Sequence, residues 1–156
     1  MKLSFSTNRW NNYDFDQFID IADAYRFQGI EVHDVHAVFD ATEPGKTTAL
    51  YRRLLEKRQV ISCIDLIADM AGERAVALEE LGLALEAARR LHAPYIRVKT
   101  TQTDKAALAK VREFLSSALP LAAAAKTTLL VETVGAYAEM AVAPLDGGRL
   151  RIRNTI

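Results

Sequence analysis

The chain has 156 residues, half of them hydrophobic and 26% charged, enough for one domain with a buried core and too apolar for a disordered tail. Twenty Lys and Arg balance twenty Asp and Glu, so a nucleic-acid-coating protein and a basic membrane-surface protein are not expected. A single cysteine, Cys63, excludes an internal disulfide framework. With no apolar leader and no apolar run near the roughly 20 residues of a membrane span, this points to a cytoplasmic chain without membrane contact.

Short β-type runs alternate with helical stretches. Leu3-Ser4-Phe5-Ser6 reads as the first strand. Asp14 is placed to cap a helix, with Gln17 three residues later and Phe15, Phe18, Ile19 and Ala22 on one face. Gly29 stands where that helix should stop, and Ile30-Glu31-Val32-His33 is the second strand. Residues 48–58 group Leu50, Leu54 and Leu55 on the apolar side of a second helix, followed by a third strand over Val60-Ile61-Ser62-Cys63-Ile64-Asp65. From Glu73 to His92, Leu78, Leu81, Leu85 and Ala88 make the stripe of a third helix, and Pro94 bars its continuation. Tyr95-Ile96-Arg97-Val98-Lys99 is the fourth strand. Thr103 is the expected cap of a fourth helix carrying Leu108, Val111 and Leu115, with Pro120 kinking it or opening a new turn before Ala122–Ala125. Thr128-Leu129-Leu130-Val131-Glu132 is the fifth strand. Beyond it, residues 136–143 suit a short helical turn or a strand, and Asp146-Gly147-Gly148 suits a tight turn. Leu150-Arg151-Ile152-Arg153 alternates like a strand that pairs back across that turn.

The strands recur every 27–35 residues, which indicates βα units and a parallel sheet. A (β/α)8 barrel unit averages roughly 31 residues, so the period suits a barrel of which five of eight units are present. Length alone favours an open doubly wound sheet instead. The side-chain alternation reverses that preference. Leu3 and Phe5, Ile30 and Val32, Ile96 and Val98, and Leu129 and Val131 share one parity. The other parity carries Ser4 and Ser6, Glu31 and His33, Cys63 and Asp65, Arg97 and Lys99, and Glu132. Strands of a doubly wound sheet are apolar on both faces, because charges beneath a helix layer pay a large desolvation cost. A polar face across several parallel strands instead suits the interior mouth of a barrel.

Each polar residue has a plainer reading beside the functional one. Glu31 and Arg97 also suit a structural ion pair, and His33 a strand-end histidine with no chemical task. Asp65 also suits a cap of the following segment, and Lys99 a side chain reaching to solvent. His36 and His92 read as surface residues, His92 at a helix end where it complements the dipole. Cys63 reads as a small buried filler. Glu132 is hardest to explain structurally, because it ends an apolar strand on the inward parity.

The opening Met-Lys-Leu-Ser-Phe-Ser-Thr, the segment Gly29-Ile30-Glu31-Val32-His33 and the segment Leu129-Leu130-Val131-Glu132-Thr133 resemble the xylose isomerase-like TIM barrels. That superfamily includes sugar phosphate isomerases and epimerases, inosose dehydratases, hydroxypyruvate isomerases and endonuclease IV. The resemblance implies a divalent metal (Mg, Mn, Co or Zn) at the strand C-termini, with Glu132 as the strand-five ligand and also the residue exchanging a proton with substrate. It implies His33 as a catalytic neighbour, Glu31, Asp65, Arg97 and Lys99 as substrate-binding residues, and a small carbohydrate or sugar phosphate as substrate. A metal acting as Lewis acid stabilises the enediolate formed when a proton leaves the carbon next to a carbonyl.

After Thr133 only 23 residues follow, none of them histidine, so three of the four implied metal ligands are missing. The expectation is therefore a partial barrel over residues 1–137 and a tail unlike the family over 138–156, truncated after about five of eight units. Two functions stay open: an isomerase or epimerase completed by a partner, and a catalytically inactive fragment or binding module that holds no metal. An endonuclease IV-like nuclease fits less well, for want of histidines and positive charge. A dinucleotide-binding fold fits poorly, because no glycine-rich turn follows the first strand. The unpaired sheet edges of such an arc lead to an expected homodimer or other edge-to-edge association.

Overall fold

In the computed structural model, residues 3–10, 12–102, 104–133 and 150–154 are described. The elements are β1 (Ser4–Ser6), α1 (Phe15–Ala24), β2 (Gly29–Val32), a 3-10 turn at Val35–Ala37, α2 (Pro44–Glu56), β3 (Val60–Asp69), α3 (Arg74–Leu91), β4 (Tyr95–Lys99), α4 (Lys105–Ala124), β5 (Thr128–Thr133) and β6 (Leu150–Asn154). Every neighbouring pair of strands is parallel, and the spatial order is the order in the chain. Without a reversal of strand order, right-handed crossovers lay successive helices on the same face. A doubly wound sheet reverses its order and covers both faces. This one matches part of a TIM barrel, and among the described residues its second face carries no helix. No helix among the described residues is long and apolar enough to cross a membrane.

The helices form where local chemistry starts them. The Asp14 carboxylate accepts the Gln17 N–H at 2.8 Å while the Gln17 side chain accepts the Asp14 N–H at 2.8 Å, a complete capping box. α1 then buries Phe15, Phe18, Ile19 and Ala22 as its spacing predicts. α2 begins at Pro44, four positions before the expected start, because proline suits the first helical turn. Of its expected apolar group, Leu54 is buried whereas Leu55 is 54% exposed. Asp104, not Thr103, caps α4: its carboxylate accepts the Ala107 N–H at 2.8 Å. Thr103 itself lies outside the described residues. Pro120 sits inside a continuous helix, where it removes only one donor from the ladder.

Other expectations need correction. The chain leaves α1 at Tyr25 and turns through Arg26 at φ 60°, so Gly29 does not end that helix. Gly29 opens β2, where a Cβ would crowd the Ser4 side chain of β1 and lie 3.2 Å from Ser62 Cβ of β3, so glycine relieves crowding between the three strands. Leu3 precedes β1 and is 49% exposed instead of lying in the core. β3 continues four residues beyond Asp65, because the Glu80 carboxylate of α3 accepts the N–H groups of Ile67 at 2.6 Å and Ala68 at 2.8 Å. The run 150–154 is a strand, yet it lies parallel to β5, Leu129 opposite Leu150 and Glu132 opposite Arg153. A tight turn cannot make that pairing, because parallel neighbours need a connection of a dozen or more residues. The turn expected at 146–148 and the element expected at 136–143 lie outside the described residues.

Between sheet and helices lies one apolar core. Ile30, Val32, Ile61, Ile64, Ile96, Val98 and Leu129 are fully buried on the helix side of the sheet, against Ile19, Leu54, Leu81 and Phe114. This is the apolar parity read from the sequence, and its burial leaves the other parity to form the opposite surface.

Candidate active site

The helix-free face encloses a concavity of about 630 Å³ to which each of β1–β5 contributes. Ser4, Phe5 and Ser6 come from β1, Glu31 from β2, Ser62 and Cys63 from β3, Tyr95 and Arg97 from β4, and Leu130 and Glu132 from β5. One irregularity sets this arrangement. Between Ile30 and Glu31 of β2, the partner on β3 jumps from Ile61 to Cys63, so Ser62 is an extra residue. Such a bulge shifts the alternation by one. It keeps Ile61 and Ile64 buried in the core while Ser62 and Cys63 both line the concavity.

Arg97 is the centre of the site. Its Nη2 pairs with Asp65 Oδ2 and lies 3.2 Å from Glu31 Oε1, while its Nε lies 3.4 Å from Glu132 Oε2. Three strands, β2, β3 and β5, thus aim carboxylates at the guanidinium of β4. Asp65 is fully buried, and the side chains of Arg97, Glu31 and Glu132 are 15%, 16% and 22% exposed. The structural reading of Glu31 and Arg97 as an ion pair is therefore met, within a larger cluster. Asp65 bonds Arg97 and does not cap the segment after it.

The electrostatics follow from that burial. Burial raises the Asp65 carboxyl above its ordinary range; Arg97 opposes this and Glu31 adds to it. Burial pulls the Arg97 guanidinium down, but Asp65, Glu31 and Glu132 outweigh it, so its pKa is raised and it stays charged. The Cys63 thiol is pushed up to about 12 by burial, then by Asp65 and Glu31, so it remains protonated and is no activated nucleophile. This agrees with its reading as a filler.

The remaining expected residues lie around this centre. His33 follows β2, and its N–H donates to Thr7 Oγ1 at 3.0 Å. Its Nδ1 is 3.6 Å from Asp65 Oδ2, beyond hydrogen-bond length, and the ring does not line the concavity. Lys99 is the last residue of β4, in register with Glu132, and it does not line the concavity either. His36 and His92 are exposed; His92 caps α3 in the left-handed region at φ 54°. Tyr95, Ser62 and Leu130 were absent from the sequence-based set. Tyr95 and Leu130 share the parity of Arg97 and Glu132, a signal that was present, whereas the place of Ser62 depends on a bulge that no local pattern announces.

Glu31, Cys63 and Asp65 offer donor atoms that all lie within 4.8 Å of one another, a group able to surround one metal ion. Both carboxylates already hold the Arg97 guanidinium, which takes the place a divalent ion would need between them. Glu132 belongs to no such group of three among the described residues.

No protein-family model and no curated protein sequence matches the chain. Solved structures do. The probable 3-DHS dehydratase AsbF of Bacillus anthracis, involved in petrobactin synthesis, superposes with a TM-score of 0.77 at 17% identity over 99% of this chain and 62% of its own. The 3-keto-D-glucoside 4-epimerase YcjR of E. coli gives 0.78 at 14% identity, over 99% of this chain and 68% of its own. The chain shares the fold of these structures, as part of a TIM barrel. A xylose isomerase domain-containing protein of Salmonella typhimurium agrees, with a TM-score of 0.67 at 12% identity over 85% of this chain and 49% of its own. The chain thus spans 49–68% of the length of these structures.

Proposed function

We propose that the concavity belongs to a sugar isomerase or epimerase, in which Glu132 transfers a proton at a carbon next to a carbonyl. The observation that carries this reading is the meeting of Glu132 and Arg97 in the concavity at the C-terminal end of β5. In barrels of this kind, chemistry takes place at the strand C-termini. Folds of the same shape perform related reactions, and epimerisation at carbon 4 of a 3-keto sugar acts at a carbon beside a carbonyl.

The steps use side chains of the chain itself. Ser4, Ser6, Ser62 and Tyr95 offer hydroxyls to a polyol. The Glu132 carboxylate takes the proton, and the carbonyl becomes an enediolate. Arg97, which stays charged beside Glu132, stabilises the negative charge on the enediolate and holds the carboxylate in place. Return of the proton from Glu132 to the neighbouring carbon, with a hydroxyl proton passing from one enediolate oxygen to the other, isomerises the sugar; epimerisation requires a second acid or a water to deliver a proton to the opposite face of the same carbon. A divalent ion, which the resemblance implies, would supply Lewis-acid stabilisation, with Glu132 as its one implied ligand among the described residues.

Incubating the protein in D2O with free ketoses, aldoses and their phosphates, with and without Mg²⁺, Mn²⁺, Co²⁺ or Zn²⁺, tests this reading. NMR should show deuterium entering at the carbon beside the carbonyl, at least about 100-fold slower in Glu132→Gln. Saturation transfer to a sugar without deuterium uptake would support a binding module instead. That second reading is favoured by the engagement of all three carboxylates with one guanidinium.

A further inference from the structure

The oxygens that would hold a cation in this concavity are the ones Arg97 already holds. Donor atoms of Glu31, Cys63 and Asp65 lie within 4.8 Å of one another, about the span of ligands on opposite sides of one ion with bonds of roughly 2.0–2.6 Å. Arg97 Nη2 contacts Glu31 and Asp65 together, and Nε reaches Glu132. The guanidinium cannot leave this place cheaply. Arg97 stands directly opposite Asp65 in the β3–β4 register, and its side chain is only 15% exposed. Two cations a few ångströms apart in so enclosed a space repel strongly, so guanidinium and metal exclude each other.

We infer that Arg97 is a built-in counter-ion occupying the place of a divalent cation among Glu31, Cys63 and Asp65, so that the site is closed to metal while the guanidinium is present and becomes a metal site when it is removed. The inference concerns occupancy of the cluster and does not depend on whether the concavity turns over a sugar.

Calorimetric titration with Zn²⁺ and Mn²⁺, together with Cys63 alkylation rates, decides it. The wild-type protein should bind neither ion at this cluster more tightly than the millimolar range, and alkylation of Cys63 should not respond to Zn²⁺. Arg97→Met should bind Zn²⁺ at least tenfold more tightly, with Cys63 alkylation slowed at least tenfold by the ion and the thermal midpoint raised by it. Arg97→Lys, which keeps the charge, should behave as wild type. Micromolar wild-type binding that disappears in Asp65→Asn would overturn the inference, as would a folded Arg97→Met protein with no gain in affinity. If Arg97→Met folds only in the presence of Zn²⁺, the inference stands. If it stays unfolded with Zn²⁺ as without, while Arg97→Lys folds, the inference falls.

Discussion

Two faces of one sheet, one residue apart along each strand, are built on opposite principles. On the helix side, Ile30, Ile96 and Leu129 are fully buried among other apolar groups. On the open side, their neighbours Glu31, Arg97 and Leu130 line a polar concavity. Apolar contacts are many and individually small, so the helix side loses stability in proportion to the volume removed. The charged cluster is held by a few strong contacts to a single guanidinium, and its stability depends on which partner is removed. A residue on the first face can be judged by its size, whereas one on the second must be judged by its partners.

Substitutions on each face sharpen this contrast. Phe114→Ala, at a fully buried helix position, should cost about 3–5 kcal/mol in chemical denaturation. Glu132→Gln should cost under about 1 kcal/mol, because that carboxylate is 22% exposed and its contact with Arg97 is a loose 3.4 Å. The smaller structural effect should accompany the greater loss of proton exchange. A large destabilisation by Glu132→Gln would show that Glu132 is mainly a structural counter-charge.

A smaller effect appears in acid, on the outer surface. Hydrogen bonds from Arg89, then Arg90, hold the Glu86 carboxyl down at about 2, against an ordinary 4.5. A depressed carboxyl stabilises the fold above its unfolded pKa, and that contribution is lost as pH falls from about 4.5 to about 2. Stability in Glu86→Gln should therefore fall less steeply over that window, and acid titrations followed by circular dichroism would measure the difference. Asp65 responds in the opposite sense. Its raised pKa means that folding takes up a proton at pH values above the ordinary 3.8, so its own contribution declines as pH rises through the raised pKa.

Much of the fold was legible because it is local. The spacing of Phe15, Phe18, Ile19 and Ala22, and the capping pair of Asp14 and Gln17, depend on a few consecutive residues, and α1 formed as they indicate. Alternation likewise placed Glu31, Arg97 and Glu132 on one face. What escaped depends on distant partners. Ser62 enters the concavity through a bulge opposite β2, β3 is prolonged by Glu80 of α3, and β6 lies parallel to a strand from which 16 residues separate it in the chain. His33 and Lys99 have the right parity but sit at strand ends, where alternation gives the side of the sheet and not the depth at which a side chain sits.

The central claim is that Asp65 and Arg97 form one energetic unit, and a double-mutant cycle on their stability tests it most directly. Arg97→Met alone should cost about 3–5 kcal/mol, because it leaves a fully buried carboxylate without its cation. Adding Asp65→Asn should recover a large part of that loss, with a coupling energy of about 2 kcal/mol or more. Additive losses, equal to the sum of the single variants within about 0.5 kcal/mol, would contradict the claim.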